Sequence, residues 1–231
     1  MSRLAALEKG KLREELRKAM GLPSYSLFEE ILNALTHGIG AALAIVAIVL
    51  LPIFSPKEPL YLVCVSIYSA TLFILYIIST MYHALGLCKA KKVFRVLDHC
   101  SIFLLIAGTY TPISLLIIGG SLGYILAISI WVVAIIGIVL NSIDLNKFAK
   151  LSMVCYIGMG WAVVFAFKPL MQSISTYQLT MLLIGGIAYT VGAIIYGVGK
   201  KVKYMHSLWH LFVLAGSIFH FFMVFDCIKN V

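Results

Sequence analysis

The chain has 231 residues, of which 62% are hydrophobic and only 12% charged, and it carries a formal net charge of +9. With a mean hydropathy of +1.03, this composition excludes a soluble globular domain and leaves a polytopic membrane protein. The cations fall between apolar runs rather than along one soluble face, so they speak for membrane topology and against a nucleic-acid partner.

Residues 1–27 form a basic N-terminal segment in which Leu12, Leu16 and Met20 make a weak helical stripe. That pattern suits a short helix in the cytosol or on the membrane surface. It does not read as a signal peptide, because the first apolar run begins near Ile31 and continues too far. Residues 28–231 read as one transmembrane domain of seven apolar runs, at roughly 31–54, 60–85, 97–118, 122–141, 151–168, 178–198 and 206–228. Pro52, Pro56, Pro59, Gly119, Gly120, Asn141 and Pro169 mark several of the connections. Pro112 is expected to bend the third run, with Thr109 or Thr111 serving the freed backbone groups. The pairs Ala188 and Gly192, and Ala193 and Gly197, allow close approach of a neighbouring helix. The five cysteines show no CxxC spacing and demand no disulfide.

Lys and Arg residues fix an orientation. The N-terminal segment and the second, fourth and sixth connections hold fifteen of them, including Lys91, Arg95, Lys147, Lys200 and Lys201. The first, third and fifth connections and the C-terminus hold three, Lys57, Lys168 and Lys229. This alternation predicts an all-α bundle of seven transmembrane helices, N-terminus cytoplasmic and C-terminus extracytoplasmic, in the cell membrane.

Under that topology the polar residues gather in one leaflet. Ser79 and His83 lie four apart at the cytoplasmic end of the second helix. Asp98 and His99 open the third helix, and His206 and His210, one turn apart, open the seventh. Ionisable groups inside a membrane are costly, about 2.5–3.5 kcal/mol at a helix centre, and mark function by default. Three imidazoles, His83, His206 and His210, offer a three-ligand site of the type that leaves a fourth position for water. The donor set fits zinc, iron, copper or nickel. Asp98 would orient or deprotonate that water, and Ser79 would hold it or donate to a reacting oxygen. The competing readings are an Asp98 ion pair with Arg95 or Lys92, and a Ser79 hydroxyl bonded back to its own helix. His37 and His99 read as satisfied helix-end histidines, and His220 as a lone polar contact deeper in the bundle.

Ser79-Thr-Met-Tyr-His83, Asp98-His99, His206-Ser-Leu-Trp-His210 and the opening Glu30-Ile-Leu-Asn33-Ala-Leu-Thr36-His37 together resemble the hemolysin III family, over about residues 26 to 225. That family stands with the progestin and adipoQ receptors and the alkaline ceramidases, and the short connections here look like its bacterial branch. The resemblance implies a seven-helix fold with an intramembrane Zn2+ site near the cytoplasmic face, in a bacterial plasma membrane. Its ligands would be His83, His206 and His210, with Asp98 reaching zinc through a water and Ser79 adjoining.

The expected function is zinc-dependent hydrolysis of a lipid amide or ester, with membrane lipids as surroundings and a lipid as substrate. One alternative is a non-enzymatic sensor or regulator of membrane state, in which zinc clamps the second helix to the seventh. Another is the cytolytic activity in the family's name, although no secreted or long amphipathic segment is present. An open fourth zinc position and a lipid-accessible cavity would favour the hydrolase.

Overall fold

The computed structural model describes residues 3–199 and 202–230, and all regular structure among them is helical. Lys200 and Lys201, two of the cations counted in the sixth connection, lie outside the described residues. The elements in order are α1 (Arg3–Ala19), α2 (Leu27–Phe54), α3 (Pro59–Ala84), α4 (Lys89–Pro112), α5 (Gly120–Trp161), α6 (Phe167–Ser173), α7 (Thr176–Val198) and α8 (Met205–Lys229). Among the described residues, six helical stretches are long and apolar enough to cross a bilayer: Leu27–Phe54, Pro59–Ala84, Lys89–Ile118, Gly120–Ser173, Thr176–Val198 and Met205–Lys229.

Local chemistry accounts for most helix boundaries. Ser26 caps α2 through a capping box in which its hydroxyl accepts from Glu29 N–H and Glu29 returns the bond to Ser26 N–H. Ser175 and Gln178 do the same for α7. The turn into α5 needs positive φ twice in succession, at Gly119 (64°) and Gly120 (58°), which only glycine adopts at little cost.

One expectation changes. The bend expected at Pro112 becomes a π-helical turn over Ile113–Ile118. Thr109 and Thr111 donate to Leu105 O and Ala107 O rather than serving the carbonyl that Pro112 leaves free. The runs read as 122–141 and 151–168 fall on the two sides of a break at Asp144 in the helical stretch Gly120–Ser173, where the backbone is non-helical at φ −155°, ψ 95°. Ser152 Oγ donates to Asn141 Oδ1 at 2.6 Å, and Asn141 Nδ2 reaches Tyr156 OH at 3.4 Å. Residues eleven apart in a straight helix would be separated by roughly 16 Å, so α5 folds back on itself at Asp144.

Helices adjacent in sequence pack side by side from α2 through α5, α7 packs along α8, and α8 returns to α2. The closest approach of α7 and α8 occurs where glycines meet large rings. A Cβ on Gly185 would fall 2.3 Å from His220 Cδ2, and one on Gly216 would fall 2.8 Å from the Tyr189 ring. The sequence pointed instead to Gly192, which does face Trp209 and Phe212, and to Gly197, which has open space beside it. Between α4, α5, α7 and α8 the bundle leaves a partly open apolar cleft of about 1350 Å³, counting its open side.

Candidate metal centre

His83 ends α3, while His206 and His210 sit one turn apart at the start of α8. Just before α8 begins, Tyr204 N–H donates to Glu29 Oε1 in the first turn of α2 at 2.9 Å. Tyr204 is left-handed, φ 65°, and turns the chain into α8. One ring nitrogen from each of the three histidines lies within 4.8 Å of the other two. His206 Nε2 is 3.1 Å from His210 Nε2 and 3.3 Å from His83 Nε2.

The remaining ring atoms decide what those nitrogens can be. His83 Nδ1 is 2.8 Å from Glu30 Oε2, and a carboxylate oxygen only accepts, so His83 donates from Nδ1. His210 Nδ1 donates in the same way to the Asn33 carbonyl at 3.3 Å. Neutral His83 and His210 therefore both present bare Nε2 lone pairs to His206, whose Nε2 carries at most one proton. One lone pair would be left facing another without a bridging cation. A tetrahedral ion with Zn–N bonds of ~2.0–2.1 Å holds its nitrogens about 3.3–3.4 Å apart, close to the separations found. The group is suited to hold a metal ion on three imidazoles, two of them, His83 and His210, buried and oriented through Nδ1.

A network that the sequence did not disclose supports these ligands. Glu30, 7% exposed, takes His83 on one oxygen and Lys91 Nζ, at 2.9 Å, on the other. Lys91 also donates to Tyr82 O and Leu85 O, both at 2.9 Å, which caps α3 immediately around His83. Arg17 stands 3.9 Å from Glu30. Asn33 belongs to the same layer, since its Oδ1 accepts the Ser207 hydroxyl at 2.5 Å. A buried acid and base near a metal-ligating histidine are what fix its tautomer and orientation. The signals available were Glu30, one helical turn before Asn33, and Lys91, which the charge count had treated as a surface cation.

The segment between α1 and α2 covers the histidines. The Tyr25 ring stacks on His206 with centroids 4.9 Å apart. Arg17 donates to Tyr25 O, and Arg95 donates to Gly21 O at 2.7 Å and to Asn146 Oδ1 at 3.1 Å. Burial first, and then the neighbouring Tyr82, Tyr196, Asp98 and Glu30, push the Tyr25 phenol well above its usual pKa.

The other candidate residues fall as follows. Asp98 is 4% exposed and lines the apolar cleft. Its closest cationic candidate is His99 Nδ1 at 3.8 Å, and the pairing with Arg95 is not made because Arg95 is spent on Gly21 and Asn146. Ser79 is fully buried and its hydroxyl has no partner among the described residues, so the back-bond to its own helix is not made. His37 is not a satisfied helix-end histidine. It is 2% exposed, both ring nitrogens lack partners among the described residues, and the ring stacks on His210 at 3.6 Å and 11°. His99 is satisfied by Arg95 O at 3.0 Å and by Tyr196 OH at 3.4 Å. His220 makes the single polar contact read for it, to Leu182 O at 3.2 Å.

Residues 25–221 match the family described as haemolysin-III related. The chain is 44% identical over 198 residues to Hemolysin-3 of Bacillus cereus, covering 85% of this chain and 90% of that one. It is 41% identical over 208 residues to the Hemolysin-3 homolog of Bacillus subtilis strain 168, covering 89% and 97%. A more distant relative is the human Monocyte to macrophage differentiation factor, 25% identical over 163 residues, 68% of this chain and 67% of that protein. With its six apolar helices able to span a bilayer, the chain is a multi-pass protein of the cell membrane and belongs to the haemolysin-III-related family.

Proposed function

We propose that this protein is a zinc-dependent hydrolase acting on an amide or ester bond of a lipid within the membrane. The observation that carries the reading is the meeting of two features. Three imidazole nitrogens, two on buried rings and one on a part-buried ring, converge at cation-binding separations. Beside them begins an apolar cleft whose wall includes Asp98, His37 and Trp209. From Asp98 to Ile113 that wall follows α4 for roughly 22 Å of helical rise, the length of a long acyl chain.

His83, His206 and His210 would hold the metal. When bound, zinc supplies a Lewis acid that polarises a carbonyl and acidifies water. Glu30 and the Asn33 carbonyl keep the two Nδ1 protons in place and so keep the Nε2 lone pairs aimed inward. Asp98 is the carboxylate suited to accept a proton from water, and the unpartnered Ser79 hydroxyl is free to donate to a developing oxyanion. The apolar cleft aligns the acyl chain and excludes bulk water from it.

The fold-back at Asp144 supports counting Gly120–Ser173 as two crossings. Fifty-four residues are far more than the ~20 needed for one. Seven crossings with the N-terminus in the cytoplasm then match the Lys and Arg alternation.

A structural clamp is the second reading, favoured by the way the ligands join α3 to α8, two helices that otherwise touch little. Metal content and lipid-amide hydrolysis, measured on purified wild type and on Asp98→Ala, separate the two. The hydrolase reading expects about one zinc per chain in both, with turnover only in the wild type. Zinc without turnover of any lipid amide or ester would give the clamp, and no bound metal would overturn both.

A further inference from the structure

The apolar cleft has a back wall and an open side. His37 from α2 and Leu75 from α3 close it from behind, α4 packs along α5, and α7 packs along α8. α5 and α7 touch little, so the open side lies between them and faces lipid. Gly160 on α5 and Gly186 on α7 both line the cleft, and a Cβ on either would meet nothing within 4 Å among the described residues.

One side chain crosses this opening. Trp161, the last residue of α5, donates from Nε1 to Thr190 Oγ1 on α7 at 3.1 Å, and both residues line the cleft. The Thr190 hydroxyl proton goes to Gly186 O at 2.8 Å, which leaves an oxygen lone pair for the indole. Thr190 lies roughly 12 Å from the nearer end of α7 by helical rise, deeper than an aromatic ring anchored among headgroups.

The indole turns on a fixed backbone. Tyr110 OH, from α4, donates to Gly160 O and accepts Val163 N–H, both at 2.9 Å, and so pins the chain on either side of Trp161. The Trp161 side chain itself is well exposed, at 40%. Its bond to Thr190 can therefore break by side-chain rotation, with no helix displaced.

We infer that the Trp161 indole is the gate on the lipid side of the cleft: an acyl chain passes between α5 and α7 when the bond to Thr190 opens, and is retained when it closes. This rests on the reading that the cleft receives an acyl chain, and it adds the route by which the chain arrives. Because the same bond opens for entry and for exit, the gate slows both and leaves the equilibrium affinity nearly unchanged. A ring that merely contacts the bound chain acts instead on affinity, mostly through the exit rate.

The test is stopped-flow mixing of a fluorescent polyene fatty acid with the purified protein in lipid nanodiscs, against protein-free nanodiscs. Exit is followed by displacement with excess octadecanoate. Thr190→Val keeps the shape of the side chain and removes the acceptor, while Trp161→Phe keeps a ring and removes the donor. Each is expected to raise the entry and exit rates together by about three- to tenfold, with the dissociation constant within about twofold of wild type. The Thr190→Val comparison stands even if Trp161→Phe does not fold. Unchanged rates, or an exit rate that rises alone as affinity falls, would overturn the gate while leaving the acyl-chain reading intact. Failure of the probe to bind the wild type in a form that octadecanoate displaces would overturn both.

Discussion

Glu30 Oε2 and His83 Nδ1 lie 2.8 Å apart across 53 residues of sequence. This contact converts an ordinary histidine at the end of α3 into one with a fixed tautomer, its Nε2 bare and aimed at His206. The same carboxylate binds Lys91, so ligand orientation, helix capping and a buried ion pair meet in one side chain.

Glu30→Gln keeps the size of the side chain but removes its charge and lets it donate, so His83 Nδ1 loses its obligate acceptor. Zinc affinity should fall about 10- to 100-fold. Competition against a chelating indicator measures it, and unchanged affinity would show that His83 is oriented by packing alone.

Lys91→Met leaves Glu30 buried with its strongest partner gone and uncaps Tyr82 O and Leu85 O. The expected loss is about 3–5 kcal/mol, the range for breaking a buried pair from one side. Thermal unfolding of the single variants and of the Glu30→Gln/Lys91→Met double variant should reveal coupling of about 0.5–3 kcal/mol. Strict additivity would deny the pair.

Ser79→Ala separates a structural hydroxyl from a reacting one. Since the Ser79 hydroxyl has no partner, its removal should leave stability unchanged or raise it by about 1 kcal/mol. Lipid-amide turnover should drop by about two orders of magnitude if the hydroxyl serves as an oxyanion donor. A variant both less stable and fully active would contradict the assignment.

Gly108→Ala should be among the more damaging small changes in the bundle. A Cβ there would lie 1.9 Å from Thr71 Oγ1 and 2.8 Å from Thr71 Cβ, where α3 and α4 touch. A destabilisation of about 1–3 kcal/mol is expected, against little change for Gly158→Ala, which meets nothing within 4 Å. Thermal melts of the two variants side by side provide the comparison.

Topology is checked by labelling with membrane-impermeant thiol reagents in a background lacking the five native cysteines. Seven crossings place Lys147→Cys on the cytoplasmic side and Lys57→Cys outside. Labelling of both from one side would remove the crossing assigned to the part of Gly120–Ser173 that precedes Asp144.

The three-histidine group that could hold a metal was legible because two of its members obey a local rule, four residues apart on one helix face, and the third was placed at the same depth by the expected topology. The fold-back was legible as two runs separated by Asn141, Asp144 and Lys147, although the break itself occupies a single residue. Glu30 was visible only as part of a motif, and Lys91 and Arg17 only as entries in a charge count. Their roles depend on contacts spanning 53 residues for Glu30–His83 and on burial at a helix end, neither of which leaves a periodic trace. His37 was misread for a related reason. Sequence gives its depth but says nothing of the parallel stack on His210, which holds the ring where no donor or acceptor of the described residues reaches it.

Tyr25 lies against His206 and His83 from the segment that precedes the first long apolar helix, while the wall of the apolar cleft contains His37 and Trp209, whose rings lie against His210. On the proposed hydrolase reading, the covered side of the centre and its lipid side are thus lined by different segments of the chain. The covering segment is seated by Arg17 and Arg95, which donate to the Tyr25 and Gly21 carbonyls, so its place over the histidines depends on side-chain bonds to backbone rather than on helix packing.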